Sequence, residues 1–230
     1  MSSIQKTFSV SCIYVLVLIL MTASLNLHAQ NKKIDSLKKV LPKVIGADKE
    51  NTLNSLINEL AAFNISEAKK YLRQLESIDN LSPNGKVNLK ITKALIRIKE
   101  MPGDSTAVIL FQTALQDAIQ LNYEKAVQII VYDLTDLQST IGDLTGCQLT
   151  LQRGYSYAAK TGSKELTAIL YRQNGILEYY KGDLTKAIDF FKKSIDIYNS
   201  IGKSDEAGGL IMNIGVMEQR LGRTSESLIY

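Results

Sequence analysis

The chain has 230 residues, of which 45% are hydrophobic and 22% are charged, and its formal net charge is only +4. This composition excludes a disordered chain, and the small charge argues against a protein that binds nucleic acid or a membrane surface. The three prolines, Pro42, Pro83 and Pro102, all lie between helix-like segments. Because proline interrupts helices, this distribution predicts an all-α fold.

Residues 1–30 differ from the rest of the chain and have the layout of a secretory signal peptide. Lys6 precedes a stretch without charges whose centre, Ile13 to Met21, is wholly apolar, and Leu27-His28-Ala29-Gln30 offers a cleavage point. The alternative is a retained anchor helix, for which this apolar centre is short. We therefore predict an exported protein of the periplasm or cell envelope, either released from the membrane or anchored to it by this segment.

Cleavage at this point would leave a chain with few reactive side chains. It would remove Lys6, lowering the net charge to +3, together with His28, the only histidine, and Cys12. Without histidine no Ser-His or Cys-His nucleophile and no histidine metal site can form. The single remaining cysteine, Cys147, cannot form an internal disulfide. We therefore predict a protein that is not an enzyme and that holds no cofactor or metal.

Three remaining motifs favour structural over chemical roles. Gly202-Lys203-Ser204 resembles the end of a phosphate-binding loop, but Ile197 stands where that motif needs a glycine. Asp133 and Asp136 lie three residues apart on a predicted helix, where a solvated pair is favoured over an acid/base couple. For Cys147 a buried, inert thiol is favoured over a redox sensor.

Residues 31–48 are predicted to form a short helix and linker, and residues 49–230 an array of helix pairs. The first helix, Lys32–Leu41, stops at Pro42, and its lysines are interpreted as a solvated face. Ser66 is expected to cap the third helix, and Leu81–Gly85 is expected to be a turn. The other predicted helices are Asn51–Phe63, Lys86–Met101, Ser105–Leu121, Tyr123–Ile141, Leu144–Lys160, Lys164–Lys181, Leu184–Ile201, Asp205–Leu221 and a partner that begins at Thr224.

A period of about 40 residues runs through this array. Glycines begin the turns at Gly103, Gly142, Gly182 and Gly222, with offsets of 39, 40 and 40 residues. Five residues after each glycine stands a small side chain, which gives Val108, Cys147, Ala187 and Ser227, and Ala68 extends the series. Gly162 and Gly202, also 40 apart, are expected to end helices. Helix pairs that repeat in this way predict an α-solenoid.

The most regular repeat runs from Ala168 to Tyr198 and reads as two amphipathic helices joined by Lys181-Gly182-Asp183. Gly175 and Ala187 stand where the two helices must cross closely, because small side chains let backbones approach each other.

This repeat resembles the tetratricopeptide repeat (TPR). The residues in register are Tyr171, Asn174-Gly175, Tyr179, Gly182-Asp183, Ala187, Phe191 and Ser194, followed in the next repeat by Ile211, Ile214-Gly215, Gly222 and Ser227. The earlier repeats match more weakly, with Ile96 and Thr135 at positions that are usually glycine. The resemblance implies a TPR-like array of about five antiparallel helix hairpins, the last one truncated.

With its N-terminal segment, the chain looks like the extracytoplasmic TPR region of bacterial sensor histidine kinases or helix-turn-helix regulators. The resemblance implies a protein–protein interaction module, the sensor or assembly region of a larger membrane-bound signal-transduction protein. The alternative is a stand-alone periplasmic scaffold. The array ends inside a helix pair, so we also expect self-association through that open end.

The family register places part of each first helix on the concave side of the array. The candidate groove residues are Lys90, Lys93, Arg97, Glu100, Tyr132, Asp136, Ser139, Arg172, Ile176, Tyr179, Met212, Val216 and Gln219. The cations at 90, 93 and 97 form a basic stripe beside aromatic and apolar positions, a surface that fits an extended peptide or helix with an acidic end. The lysine/asparagine carboxylate clamp of some family members is not matched, so the identity of the ligand stays open.

Overall fold

The computed structural model describes residues 30–223, and all regular secondary structure within these residues is helical. Residues 1–29 of the predicted signal peptide, the helix expected from Thr224 and the small residue Ser227 lie outside the described residues. Between residues 30 and 223 no helix is both long and apolar enough to cross a membrane. The chain divides into two compact units, with the boundary between Gly85 and Lys86.

The first unit is built on a helix hairpin. Residues 30–40 are helical (α1) and lead into a 3₁₀ turn, Leu41–Lys43. The helices α2, Gly46–Ala61, and α3, Ile65–Glu76, pack on each other. Asn64 caps α3, because its side-chain oxygen accepts a hydrogen bond from the Glu67 N–H at 3.1 Å. The prediction that Ser66 is the cap was therefore wrong.

The segment predicted as a turn, Leu81–Gly85, contains the start of the next helix. This helix, α4, spans Pro83–Glu100, and proline suits a first helical position because its φ is already helical. The Ser82 N–H and hydroxyl donate to the buried Glu50 carboxylate at 2.9 and 2.5 Å, and the Gly85 N–H donates to Ser82 Oγ at 2.9 Å. These bonds satisfy donors at the start of α4.

Between residues 86 and 223 the second unit contains the rest of α4 and six further helices. They are α5 (Ser105–Gln120), α6 (Glu124–Thr140), α7 (Leu144–Thr161), α8 (Lys164–Lys181), α9 (Leu184–Ser200) and α10 (Ser204–Arg220). From α5 to α10 each helix packs on the next, and α6 also packs on α8. A single apolar core runs through the unit from Val87 to Met217. Stacked helix pairs of this kind form an α-solenoid, as predicted.

Turns between these helices follow the predicted period. Gly162 and Gly202 end α7 and α9 in the left-handed conformation, with φ of 72° and 74°. Asn122, 40 residues before Gly162, has the same conformation (φ 51°), and asparagine is among the few other residues that adopt it at small cost. Asp143 and Asp183 then cap the helices that follow them.

One of the small residues predicted at the helix crossings is wrong by one position. Ala107, Cys147 and Ala187 are fully buried at a constant spacing of 40 residues, whereas Val108 is only partly buried. The turn before α5 is therefore one residue closer to its crossing than the later turns are to theirs. Its cap differs as well, because Asp104 accepts from the N–H two residues on and Asp143 from the N–H three residues on.

Gly175 marks the predicted close crossing of α8 and α9. A Cβ atom at this position would lie 2.5 Å from two ring carbons of Phe191 and 3.1 Å from the carbonyl oxygen of Ala187. The two helices are thus as close as a glycine permits.

Candidate ligand-binding site on the first-helix face

Six of the predicted groove residues lie in two rows across α6, α8 and α10. One row is Tyr132, Arg172 and Met212, and the other is Asp136, Ile176 and Val216; together they define what we call the first-helix face. Met212 and Val216 are 70% and 53% exposed. Tyr132 and Asp136 are also exposed, and Arg172 and Ile176 are half-buried. The 40-residue period places each row at one height on consecutive first helices.

The predicted cations on α4 include two that form ion pairs with aspartates. Lys90 Nζ lies 2.5 Å from Asp117 Oδ2 on α5, and Arg97 Nε lies 2.7 Å from Asp104 Oδ2. The Thr106 N–H, with help from the Arg97 charge, lowers the pKa of Asp104. Lys93 is half-buried on the same helix. Lys90 and Arg97 therefore each already have a carboxylate partner.

Where the first-helix face meets the end of α9, it contains a pocket of about 250 Å³. The pocket is lined by Tyr132, Arg172, Tyr198, Asp205, Glu206, Gly209, Leu210 and Asn213. Two of these, Tyr132 and Arg172, were predicted from the repeat register. The others were missed because they lie on α9 or at positions of α10 that the register does not select.

Arg172 is held in place by neighbours on two helices. Its guanidinium carbon lies 4.2 Å from the centre of the Tyr132 ring, a cation–π contact. Its Nη1 donates to Gln173 Oε1 at 3.0 Å, while Gln173 Nε2 donates to Thr135 Oγ1 and the Tyr132 carbonyl at 2.7 and 2.8 Å. Within residues 30–223 no carboxylate forms an ion pair with this guanidinium, so it remains available to an anionic ligand group.

Tyr198 supplies a second donor to the pocket. The residue is only 4% exposed, and its hydroxyl forms no hydrogen bond to any of the described residues. Burial raises the pKa of Tyr198 to about 12, although the Arg172 charge acts in the opposite direction. At neutral pH the hydroxyl is therefore protonated and able to donate.

Two carboxylates complete the pocket at the start of α10. Asp205 and Glu206 lie in the first turn of this helix, where its dipole favours negative charge. Lys203 pairs with Glu165 and lies 3.9 Å from Glu206 Oε1. The hydrogen bond from Lys203 to Glu165 is the main cause of the raised pKa of this lysine. The pocket thus combines a cation and a neutral donor with two anionic acceptors.

A second tyrosine–arginine pair joins α8 and α10. Arg220 Nη1 donates to the Tyr179 hydroxyl at 2.9 Å, and its guanidinium carbon lies 5.8 Å from the ring centre. Tyr179 is half-buried and Gln219 is exposed, so both reach the surface as the register predicts. Ser139 is not, because it lies on the side of α6 that faces α7, where it is buried and donates to Cys147 Sγ at 3.5 Å. Its prediction as a groove residue was wrong.

The structure also places the other motifs considered for chemistry. Asp133 is half-buried, and burial together with the Asp136 charge raises its pKa to about 6, so it is not a fully solvated carboxylate. Cys147 is buried, and burial raises the pKa of its thiol. Gly202-Lys203-Ser204 joins α9 to α10, as the repeat register predicts, with Gly202 in the left-handed conformation.

Comparison with known proteins gives a structural likeness only. No protein-family model matches the sequence, and no curated protein matches it. Among solved structures, the crystal structure of BtubC (BKLC) from P. vanneervenii superposes with a TM-score of 0.65. The two chains are 14% identical, and the match covers 87% of each. At this identity the likeness shows a shared all-helical, repeat-like fold.

Proposed function

We propose that this chain is an exported, TPR-type interaction module that binds an extended peptide along the first-helix face. In this proposal it acts as the sensor or assembly region of a larger membrane-bound signalling protein. The observation that carries the peptide-binding part is the pairing of an available guanidinium, Arg172, with exposed apolar side chains at Met212 and Val216.

The relation to the TPR family is supported by the packing of the helix pairs. A buried small residue recurs every 40 residues at the crossings, and Gly175 contacts the fully buried Phe191 as the family pattern leads one to expect. The likeness to a solved all-helical structure supports the fold alone.

The first-helix face suits a peptide that carries both apolar side chains and a carboxylate. Large exposed apolar side chains mark interaction surfaces, and methionine adapts its shape to different partners. Because 70% of Met212 and 53% of Val216 are exposed, burying them against a ligand would contribute about 1–2 kcal/mol each. Arg172, stacked on Tyr132, would fix the register of the peptide by binding one of its carboxylates.

This peptide-binding proposal is tested by selecting ligands from a displayed peptide library with the full chain and measuring their affinity by fluorescence anisotropy. The double substitution Met212→Ser/Val216→Ser should weaken a selected peptide by about tenfold or more. The control is Leu149→Ser, which removes an apolar side chain that is 58% exposed on α7, the second helix of its pair. Equal affinities for the two variants, or a library that yields no ligand, would contradict the proposal.

Export is tested separately, by fusing residues 1–30 to a reporter enzyme that is active only outside the cytoplasm. We expect reporter activity that disappears when Val15 and Leu18 in the apolar centre are both replaced by aspartate. An inactive wild-type fusion would refute the export part of the proposal and leave peptide binding untouched.

A further inference from the structure

The pocket on the first-helix face holds two hydrogen-bond donors that the fold itself does not use. The Tyr198 ring is packed in the core, with 4% of the residue exposed, and its hydroxyl lines the pocket without a hydrogen-bond partner among the described residues. Arg172 donates to Gln173 but pairs with no carboxylate in the same part of the chain. Between residues 30 and 223 no buried side-chain nitrogen or oxygen lacks a hydrogen-bond partner, so the Tyr198 hydroxyl is open to the pocket and able to meet a ligand there. Both donors line the same pocket, so a single ligand can meet both.

The acidic side chains of the pocket decide which acceptor fits. A simple anion would be attracted by Arg172 but repelled by Asp205, which forms no ion pair within residues 30–223. A simple cation would be attracted by Asp205 but repelled by Arg172. Glu206 is partly balanced by Lys203, whose ammonium lies 3.9 Å away. A ligand that carries both charges satisfies the cation and the carboxylates together.

We propose that this pocket binds a free α-amino acid as its zwitterion. Arg172 and the Tyr198 hydroxyl bind the carboxylate, and Asp205 and Glu206 bind the ammonium group. This ligand class is distinct from the peptide proposed above and does not depend on it, although both use the first-helix face. Gly209, which lines the same pocket, leaves room for the side chain of such a ligand, since a Cβ there would contact nothing within 4 Å.

The size of the pocket agrees with a ligand of this class. Its volume of about 250 Å³ lies below the range of roughly 300–1,000 Å³ typical of drug-sized ligands. The Arg172 guanidinium is already oriented by Tyr132 and Gln173, so little side-chain freedom is lost on binding. A preorganised guanidinium can also bind a carboxylate in the bidentate manner that makes such contacts strong.

A first experiment measures binding of the twenty common L-amino acids to the full chain by isothermal titration calorimetry at neutral pH. We expect at least one of them to bind. For the tightest binder, the carboxylic acid that lacks the amino group and the amine that lacks the carboxylate should each bind at least about tenfold more weakly. If no amino acid binds, or if either analogue binds as tightly as the zwitterion, the proposal is overturned.

A second experiment locates the site by substitution. Arg172→Gln should weaken binding by about ten- to a hundredfold, and Tyr198→Phe, which removes only the hydroxyl, by about fivefold or more. The matched control is Arg153→Gln, an exposed arginine in a groove between α5 and α7. Circular dichroism checks that each variant keeps the helical fold. An unchanged affinity in the folded Tyr198→Phe variant, or an equal loss in Arg153→Gln, rejects this pocket as the site.

The outcomes separate the two proposals. Loss of selected-peptide binding in Met212→Ser/Val216→Ser with amino-acid binding intact supports both. Amino-acid binding without any selected peptide rejects the peptide proposal alone. Peptide binding without amino-acid binding rejects the zwitterion site alone.

Discussion

Replacing Gly175 by alanine tests the close crossing of α8 and α9 directly. The new Cβ would lie 2.5 Å from two ring carbons of Phe191, about 1 Å closer than carbon atoms normally pack. Phe191 is only 1% exposed, and the Ala187 carbonyl oxygen, 3.1 Å from the same Cβ, belongs to the backbone. Overpacking of this kind costs about 1–3 kcal/mol, whereas alanine is favoured over glycine within a helix by at most about 1 kcal/mol. The clash therefore wins, and we expect a net loss of about 1–2 kcal/mol.

The assay for this prediction is urea unfolding followed by circular dichroism, with thermal melting as a second measurement. A loss of 1 kcal/mol lowers the Tm of a chain of this size by about 2–4 °C. Gly208→Ala in α10 is the matched control, because a Cβ there contacts nothing within 4 Å; we expect it to gain about 0.5–1 kcal/mol from helix propensity alone. If Gly175→Ala is as stable as wild type, or if both variants shift in the same direction, the reasoning about the crossing is wrong.

Four further substitutions test other parts of the fold. Tyr157→Phe should cost about 0.5–1.5 kcal/mol of stability by removing the 2.9 Å hydrogen bond to Asn122 Oδ1. Asn122→Ala should cost about 1 kcal/mol more than Tyr157→Phe, because alanine is strained at φ 51°. Equal losses for the two variants in urea unfolding would contradict this prediction. Burial raises the pKa of Asp133 to about 6, so the folded state binds its proton more tightly and stability falls as pH rises from 4 to 7. Asp133→Asn should flatten that pH dependence and stabilise the protein at pH 7.5 by about 1–2 kcal/mol, and an unchanged slope would refute it. Glu50→Ala should cost about 1–3 kcal/mol in unfolding experiments, because the Ser82 N–H and hydroxyl lose their acceptor; a neutral effect would show that water replaces the carboxylate.

Turns and helix lengths in the second unit follow closely from the sequence. The predicted helix Lys164–Lys181 has the same bounds in the structure, and Gly162 and Gly202 adopt the expected left-handed conformation. Both features are local, since they depend on helix caps and on residues that lie next to each other in the chain. Ser66 failed as a cap for an equally local reason, because Asn64 two residues earlier is the better placed acceptor. Asn122 could have been recognised by its offset of 40 residues from Gly162.

The candidate site was predicted in part. Tyr132 and Arg172 followed from the repeat register, and their stacking is a consequence of a 40-residue period that places them on neighbouring helices. Tyr198 gave no such signal, because the register assigns α9 to the packed side of each pair, and its hydroxyl reaches the pocket only from the end of that helix. The carboxylate partners of Lys90 and Arg97 were missed for a similar reason, since both acids lie beyond the end of α4 in the chain.

The sequence by itself determined most helix boundaries of the second unit, that the helices come in pairs, and the small residues Cys147 and Ala187 at two of the crossings. These properties depend on backbone preferences and on the spacing of apolar side chains along one helix. Only the tertiary structure decided which polar groups come together, that Asp133 is partly buried, and that Ser139 faces Cys147. The reason is physical: burial and pocket chemistry depend on atoms from helices that are distant in the chain, and the angle at which those helices pack selects the side chains that meet.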